Sequence, residues 1–342
     1  MEPIHQRKLD HIQIVSEDRA VDRNMHYFDR IHLTHRALPE LDLAKVDPST
    51  VFMGKRLSFP LLISSMTGGA DEELIKINRN LAIAAETEGV ALAVGSQRVF
   101  FSDVAAAESF ALREHAPSAL LLGNLGAVQL NYDLGVADCK AAIRVLGADG
   151  LYLHLNPLQE AVQPEGDTDF SDLCRKIAEI VQTLKHPVII KEVGAGISPV
   201  DVEHLLAAGV KYIDVAGSGG TSWSLVESRR SDRPDLGELF RDWGIPTPVA
   251  LQLMKPYRHE MQITASGGVR NGIDMAKCMI LGACLCGMAR PFLVPARESA
   301  DAVREVIRRL KREFVTAMFL LGTGSIGDLF GNEELILNEH RY

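Results

Sequence analysis

The chain has 342 residues, which is enough for one large domain or two ordinary ones with a sizeable apolar core. Lys and Arg total 36 against 45 Asp and Glu, and the formal net charge of −9 argues against a nucleic-acid partner or an anionic membrane surface. Any anionic ligand must therefore be met by a local cluster of cations.

The first residues of the chain are charged and do not form the apolar stretch of a signal peptide, so we expect a cytoplasmic protein. The most apolar run, 279–295, is interrupted by Arg290 and Pro291, and it predicts a buried strand rather than a membrane span. Five cysteines without metal-ligand spacing indicate buried thiols.

Three units are predicted along the chain. Residues 1–59 mix charges and histidines and do not repeat the later pattern, so we predict an N-terminal extension that contributes to the active site. Between residues 60 and 321 an apolar run, a polar or Gly-rich end and a helix pattern alternate eight times. Residues 322–342 form a predicted C-terminal tail.

The alternation predicts eight strands, at 61–66, 91–95, 120–123, 150–155, 187–191, 212–216, 262–266 and 283–287. Helices are predicted near 71–88, 103–115, 134–146, 169–185, 199–208, 246–256, 272–281 and 297–320. Short oxygen side chains precede four of them as expected N-caps: Asp71, Asp103, Asp169 and Ser198.

Strict alternation of strand and helix predicts parallel β/α units. Eight units over this length match an α/β fold of the (β/α)8 TIM barrel type, with the N-terminal extension over the C-terminal mouth. An open doubly wound sheet is the alternative, but its Gly-x-Gly-x-x-Gly turn does not follow the first strand. In a barrel the polar residues after each strand gather at one mouth.

A polar cluster follows the fourth predicted strand directly. Strand alternation places His154 and Asn156 on one face. Pro157 ends the strand, so Gln159 and Glu160 are expected on the loop beyond it. A carboxylate flanked by amides suits Mg²⁺ that is completed by substrate phosphates. The alternatives are a surface carboxylate for Glu160 and a core histidine for His154.

Two glycine-containing loops, 266–272 and 287–290, follow the seventh and eighth predicted strands. Barrels often hold a phosphate group between these loops, because glycine lets backbone amides approach the anion and a helix N-terminus adds a favourable dipole. Ordinary tight turns would explain either loop alone. The pair favours a phosphate site without identifying the ligand.

Lys191 ends an otherwise apolar fifth strand. Burying an unpaired ammonium is costly, so this lysine must be paired or used. One use is as a fixed cation beside a cofactor that becomes anionic on reduction. A salt bridge with Glu192 is the alternative, although neighbouring strand residues face opposite ways.

Small and amide-bearing residues follow the first three strands, at 66–69, 95–98 and 123–126, and together they outline a rim suited to a planar ring system. Arg7, Lys8 and His11 form a cationic cluster near the N-terminus. Such a cluster is usually solvated surface, and it acts in a site only if the extension folds over the mouth.

With these residues assembled, the chain resembles the type 2 isopentenyl diphosphate isomerases, which are flavin enzymes on a barrel scaffold. The match extends from Arg7 to about Arg290, and its most distinctive segments are HLNPLQE at 154–160 and GGTSW at 219–223. The resemblance implies interconversion of isopentenyl and dimethylallyl diphosphate in isoprenoid biosynthesis, with reduced FMN, Mg²⁺ and NADPH as reductant. It also implies a homotetramer or homo-octamer.

The resemblance implies a role for each matching position. FMN would be held by Met66, Thr67, Gly68, Ser96, Asn124, Lys191, Thr221, Gly268, Val269, Arg270, Ala289 and Arg290. The diphosphate substrate would be held by Arg7, Lys8, His11, Ser96, Gln97, Arg98, His154, Asn156 and Gln159, and the metal by Glu160.

Moving the double bond requires protonation of the terminal alkene carbon and removal of an allylic proton. Ring nitrogen 5 of the reduced flavin is the expected acid and base. Gln159 would position the alkene, Lys191 would stabilise the anionic flavin, and His154 completes the expected catalytic set.

Other classes compete with this interpretation. The flavin-dependent 2-hydroxy acid oxidases carry a catalytic His before Gly-Gly-Arg in the sixth loop, where this chain has Ser218, Gly219, Gly220 and Thr221. An enzyme like inosine monophosphate dehydrogenase would need a nucleophilic cysteine, and none falls on the first six loops. A flavoprotein or phosphate-sensing module without catalysis leaves the polar cluster after the fourth strand unexplained.

Overall fold

A computed structural model describes residues 3–337, with side chains from residue 6 onward. Its central feature is a closed barrel of parallel strands in the order β10-β3-β4-β5-β6-β7-β8-β9. The barrel strands are β3 Leu61–Ile63, β4 Ala91–Ala93, β5 Leu121–Gly126, β6 Gly150–Leu155, β7 Val188–Glu192, β8 Tyr212–Asp214, β9 Gln262–Ser266 and β10 Leu285–Met288. The predicted (β/α)8 TIM barrel is confirmed, and the open sheet is excluded.

An antiparallel hairpin, β1 Thr50–Phe52 and β2 Lys55–Leu57, precedes the barrel. The α-helices are α1 Pro3–Glu17, α2 Glu72–Glu88, α3 Val99–Ser102, α4 Val136–Leu146, α5 Pro157–Val162, α6 Leu173–Thr183, α7 Pro199–Ala207, α8 Trp223–Ser228, α9 Pro234–Leu239, α10 Thr247–Leu253, α11 Gly272–Ile280, α12 Arg290–Glu298, α13 Ala300–Leu321 and α14 Ile326–Leu329. Short 3₁₀ segments join them at Arg19–Val21, Tyr27–Arg30, Leu43–Lys45, Val104–Phe110, Ala127–Asn131, Lys255–Tyr257 and Glu333–Leu335.

Two of the predicted helix starts are correct. Asp71 caps α2 by accepting from the amide of Glu73, and Ser198 caps α7 by accepting from the amide of Asp201. Both bonds satisfy a first-turn amide that has no partner inside the helix.

Two other predictions are wrong. Instead of a helix over 103–115, Asp103 caps a 3₁₀ segment that ends at Phe110, where the Ser109 hydroxyl bonds to the backbone and competes with helical hydrogen bonds. Asp169 caps no helix but forms a turn with the amide of Ser171, and α6 begins after Asp172.

The hairpin closes the barrel at the end opposite the mouth. Phe52 and Leu57 are buried against the inward-facing residues at the beginnings of the strands. The ring of Phe52 packs edge-on against Tyr212, the first residue of β8, at 5.8 Å between centroids. The barrel interior is therefore a packed apolar core below the mouth rather than a pore.

The N-terminal segment crosses the mouth, as predicted. After α1, the backbone of Asp22 pairs with Thr221, and Val21 and Phe28 are buried on either side of this contact. Arg23 is also buried, and its guanidinium donates to the carbonyls of Arg241, Thr221 and Trp243. These contacts fix the segment on the loop that follows β8.

The described part of the C-terminal segment packs on the N-terminal one through isolated bridges between Leu33 and Ile336 and between Asp47 and Ser325. Residues 338–342 of the predicted tail lie outside the described residues. No helix within 3–337 has the length and apolar character needed to cross a membrane.

Candidate active site

A cavity of about 760 Å³ opens at the mouth of the barrel. Residues from the N-terminal segment and from the loops after all eight barrel strands line it. This volume lies within the range of pockets that enclose small molecules and cofactors. The convergence of the strand ends at one site therefore occurs as the sequence predicts.

Most of the predicted site residues line this cavity: Arg7, Lys8, His11, Met66, Thr67, Ser96, Arg98, Asn124, His154, Asn156, Gln159, Glu160, Lys191, Thr221, Gly268, Val269, Arg270, Ala289 and Arg290. Gly68 and Gln97 do not. Gln97 is fully buried behind the wall, where it donates to the carbonyl of Ala142 at 2.9 Å and accepts from the amide of Asn124 at 3.0 Å. Its side chain joins β5 to α4 and does not line the cavity.

Gln159 and Glu160 lie on a helix, not on the predicted loop. Pro157 occupies the first turn of α5, where its fixed φ favours a helix start. The amide of Asn156 donates to Glu160 Oε1 at 2.8 Å and to Gln159 Oε1 at 3.2 Å. The short helix thus presents both side chains to the cavity together.

The Glu160 carboxylate is buried among donors. Its Oε2 accepts from the Gln163 amide and from the backbone amide of Asp167, the latter at 2.8 Å. Burial raises the pKa of Glu160, and the hydrogen bonds from Asp167 and Asn156 partly offset this effect. Oε1 accepts a single described bond, so it can accept a further bond or bind a metal ion.

Glu227, which no sequence pattern marks as a site residue, fixes the orientation of Gln159. Its Oε1 accepts from Gln159 Nε2 at 2.7 Å and lies 2.9 Å from His11 Nε2, while Arg230 contacts Oε2 at 2.6 Å. Burial alone would raise the pKa of Glu227, but its bonds with His11, Gln159 and Arg230 lower the pKa to about 2. Glu227 is therefore an anion near neutral pH.

His154 faces the cavity as a neutral ring. Its Nδ1 lies 2.8 Å from Asn124 Oδ1, and because an amide oxygen only accepts, Nδ1 carries the proton and Nε2 is an acceptor. Burial, followed by the positive charges of Lys191 and Arg7, lowers the pKa of His154 to about 4. At neutral pH His154 can donate and accept hydrogen bonds, but it has no positive charge with which to neutralise an anionic ligand.

Lys191 is paired, but not with Glu192. Its Nζ lies 3.2 Å from Asp214 Oδ2 and 3.2 Å from Ser266 Oγ. Glu192 turns to the other face and accepts from the backbone amides of Val193 and Gly194, each at 2.6 Å. The alternative of a salt bridge for Lys191 is thus correct, but its partner is Asp214 rather than Glu192.

Cations from the N-terminal helix and the β4 loop lie on one wall. Lys8 Nζ donates to the carbonyls of Ser96, at 2.8 Å, and Gly68. Burial, then the charge of Arg7, lowers the pKa of Lys8 to about 7. Arg98 lies on the same wall, where it contacts Asp167 at 2.7 Å.

The glycine loop after β9 meets the loop after β8 backbone to backbone. Gly267 and Gly268 have φ of +93° and +77°, and a Cβ at Gly268 would lie 2.6 Å from the backbone of Gly219. The arginines of the loops after β9 and β10 each contact an aspartate from the N-terminal segment. Arg290 contacts Asp22, and Arg270 pairs with Asp29 at 2.5 and 3.2 Å.

Several buried polar atoms of the lining have no hydrogen-bond partner among the described residues. They include the hydroxyls of Ser64, Ser65 and Thr67 and the carbonyl oxygen of Asn156. Because buried polar groups are normally satisfied, these atoms indicate a ligand with polar edges. FMN and a diphosphate both fit such a lining.

Gly268→Ala is expected to weaken FMN binding about 10- to 100-fold, because the strained backbone and the clash with Gly219 cost roughly 1–3 kcal/mol. Titration of flavin fluorescence measures the change. Gly324→Ala is the matched control, since its nearest neighbour would be 3.7 Å away. Equal affinities for the two variants would show that the glycine loop does not bind the cofactor.

Comparison with known proteins places the chain in a family. The model of the FMN-dependent dehydrogenase family matches residues 3–116 and 155–337. The isopentenyl-diphosphate delta-isomerase of Paracoccus zeaxanthinifaciens is 57% identical over 96% of both chains. That of Hydrogenovibrio crunogenus is 52% identical over 98% of both.

Solved structures share the fold at low sequence identity. The flavin-binding domain of baker's yeast flavocytochrome b2 aligns with a TM-score of 0.69 at 18% identity, over 98% of this chain and 91% of that one. A mandelate oxidase variant aligns with a TM-score of 0.59 at 17% identity, over 94% and 90%. These similarities show the barrel fold. Given the family model and the two relatives above half identity, the chain belongs to the FMN-dependent isopentenyl-diphosphate delta-isomerase family.

Proposed function

We propose that the protein interconverts isopentenyl and dimethylallyl diphosphate with FMN and Mg²⁺. The observation that carries this proposal is the position of α5, which directs Gln159 and Glu160 into the cavity that Lys191 and the glycine loops also line. The similarity to the two isomerases supports the same activity. In this proposal the reaction moves a double bond and causes no net oxidation of the substrate.

The residues present fit FMN. The glycine loops after β9 and β10 would hold its phosphate, with Arg270 and Arg290 as the cations. The unpartnered hydroxyls at the ends of the early strands would bind its ring edges, and Lys191 would lie beside the ring as a fixed positive charge. Reduced flavin would supply an electron-rich ring whose nitrogen 5 exchanges a proton with the substrate.

The residues also fit Mg²⁺ bound together with a diphosphate. No group of three or more His, Cys, Asp or Glu suited to a metal ion occurs within the described part of the chain. Glu160 Oε1 would be a single protein ligand, and diphosphate oxygens and water would complete the shell, as Mg²⁺ often prefers. Arg7, Lys8 and Arg98 would neutralise the remaining charge.

The protein orients the alkene through Gln159. This side chain is held at both ends, since its Nε2 donates to Glu227 and its Oε1 accepts from Asn156. A side chain held in this way loses little entropy when substrate binds, which favours a reactive geometry. His11 and Trp223, which also line the cavity, pack edge to face with 5.1 Å between their ring centroids.

We expect kcat/KM for isopentenyl diphosphate to fall as the pH rises through about 7. Lys8 has its pKa lowered to about 7, so it loses its positive charge above that pH and binds the diphosphate less well. A pH profile under FMN saturation measures this effect. In Lys8→Arg the fall should shift to higher pH, because arginine stays charged. An unchanged profile would exclude Lys8 as the titrating group.

The cavity lining bears on the two competing enzyme classes, the 2-hydroxy acid oxidases and the cysteine-dependent dehydrogenases. Ser218, which the resemblance sets at the position of the oxidase histidine, is buried and does not line the cavity. No cysteine is among the cavity residues that the structure describes. A thiol nucleophile is therefore absent from the part of this lining that the structure describes.

Incubating the FMN-loaded, chemically reduced protein with isopentenyl diphosphate and Mg²⁺ tests the proposed function. Proton NMR should show dimethylallyl diphosphate. A parallel incubation of the oxidised protein with lactate or mandelate should show no keto acid. Keto acid without isomer would assign the protein to the oxidases instead.

The resemblance also supports NADPH as the reductant, a cytoplasmic location and a homotetramer or homo-octamer. Flavin bleaching by NADPH in the absence of oxygen, cell fractionation and light scattering test these three proposals in turn.

A further inference from the structure

The pair formed by Lys191 and Asp214 lies at the boundary between the barrel core and the cavity. Lys191 lines the cavity and is 7% exposed, whereas Asp214 is fully buried below it. The two residues are register neighbours on β7 and β8. Their side chains therefore extend to the same side of the sheet, where Nζ and Oδ2 lie 3.2 Å apart.

The Asp214 side chain accepts hydrogen bonds from three further groups. Ser266 Oγ donates to its Oδ1 at 2.6 Å, the backbone amide of Ala216 donates to the same oxygen at 3.2 Å, and Tyr152 Oη donates to Oδ2 at 3.3 Å. Burial and then the charge of Asp214 raise the pKa of Tyr152 well above its usual range, so the phenol stays neutral. Such a network costs little only if its anion has a cation partner.

The other titratable groups around Lys191 do not serve as that partner. On β6, His154 is the register neighbour of Lys191 and is neutral above a pKa of about 4. Glu192 faces the opposite side and accepts from its own loop. The counter-ion of Lys191 within the described chain is thus Asp214.

We propose that Asp214 is a positioning residue of the flavin site, which keeps the Lys191 ammonium charged and directed at the cavity before the flavin becomes anionic. This inference rests on the proposed FMN site. A buried lysine without a counter-ion would release its proton. The flavin would then have to recharge Lys191 each time it is reduced. With Asp214 in place, the positive charge is already present and no reorganisation is needed.

The proposal predicts how many protons are taken up when the flavin is reduced. Two electrons and one proton convert oxidised flavin to a reduced ring with one negative charge. If Lys191 is already charged, the protein takes up no further proton. If Asp214→Asn leaves Lys191 neutral beside the oxidised ring, one additional proton is taken up per flavin. Each additional proton makes the two-electron midpoint potential fall by about 30 mV more per pH unit. A change of this size corresponds to a tenfold change in the equilibrium constant for flavin reduction.

The experiment measures the flavin midpoint potential between pH 7.5 and 9.5, with dithionite as reductant. All proteins carry Lys8→Arg, so that Lys8 does not titrate in this range. In the Lys8→Arg protein, called the parent here, the midpoint potential should fall with pH at the rate expected for one proton per two electrons. In the parent that also carries Asp214→Asn, it should fall at the rate expected for two protons per two electrons. The double variant Lys191→Met/Asp214→Asn should return to a slope of one, because it has no lysine to recharge.

A slope of two protons in the parent would overturn the proposal without any change at Asp214, so a failure of Asp214→Asn to fold does not prevent the test. A slope of one in a flavin-loaded Asp214→Asn protein would overturn it as well. Failure of the parent to bind FMN is a separate result, because it would remove the proposed function itself.

Discussion

Lys191→Met is expected to reduce isomerase kcat by roughly 100- to 1,000-fold, which is the typical loss when one preorganised group that stabilises developing charge is removed. The side chain lines the cavity, is almost fully buried and lies within 3.2 Å of its counter-ion, so no solvent cation can replace it. Steady-state kinetics on flavin-saturated protein measure the loss. KM for the diphosphate should change much less, since Lys191 is not among the residues proposed to bind it.

Folding must be separated from chemistry in this variant. Losing Lys191 leaves Asp214 as an unpaired buried charge, which costs about 3–5 kcal/mol. The double variant Lys191→Met/Asp214→Asn removes both charges and should recover most of the melting temperature while kcat stays low. Turnover close to that of the natural protein in a folded, yellow Lys191→Met preparation would contradict the role.

Glu160→Gln should raise the Mg²⁺ concentration needed for half-maximal activity by about 10- to 100-fold, the size of effect seen when metal-site partners are lost. The substitution keeps the shape of the side chain but removes its charge. It also places an amide donor opposite the donors Gln163 and Asp167, which costs about 1–3 kcal/mol if they stay unsatisfied.

Activity measured as a function of Mg²⁺ concentration, at saturating FMN and substrate, tests this prediction. Glu165→Gln is the matched control, because Glu165 is more exposed and pairs with the nearby Arg7 and Arg230. If the two variants respond to Mg²⁺ alike, Glu160 is not the metal ligand and its carboxylate only organises α5.

Local sequence was sufficient to predict the barrel and the strand ends that form the site. Eight apolar runs, each followed by polar or glycine residues, predict a common mouth, and the alternation in β6 places His154 correctly. The sequence does not predict helix α5, because a proline after an apolar run indicates the end of a strand, although proline is equally suited to a first helical turn.

The supporting carboxylates required the tertiary structure. Glu227 reaches Gln159 across 68 residues of sequence, and nothing in its own segment distinguishes it from a surface carboxylate. Asp214 carries a sequence signal, since it is a charged residue at the end of an apolar strand, and Lys191 is likewise a charged residue next to the end of its strand. Its partner became evident only from the strand register. Gln97 shows the opposite: its sequence segment predicts a site residue, but its side chain bonds to the backbone of β5 and does not line the cavity.

The N-terminal segment was predicted to cover the mouth, but its two acidic contacts were not. Asp22 and Asp29 meet Arg290 and Arg270, which lie more than 200 residues later in the chain. Pairings of this kind depend on where the segment crosses the loops after β9 and β10, and local sequence patterns do not contain that information.

An isomerase assay with FMN added and withheld tests the central claim most directly. The flavin-free protein is prepared by unfolding and refolding and is assayed with isopentenyl diphosphate, Mg²⁺ and a reductant. We predict no dimethylallyl diphosphate until FMN is added, and full recovery when one flavin is bound per chain. Undiminished turnover by a colourless protein would contradict a site in which flavin and diphosphate share one barrel mouth.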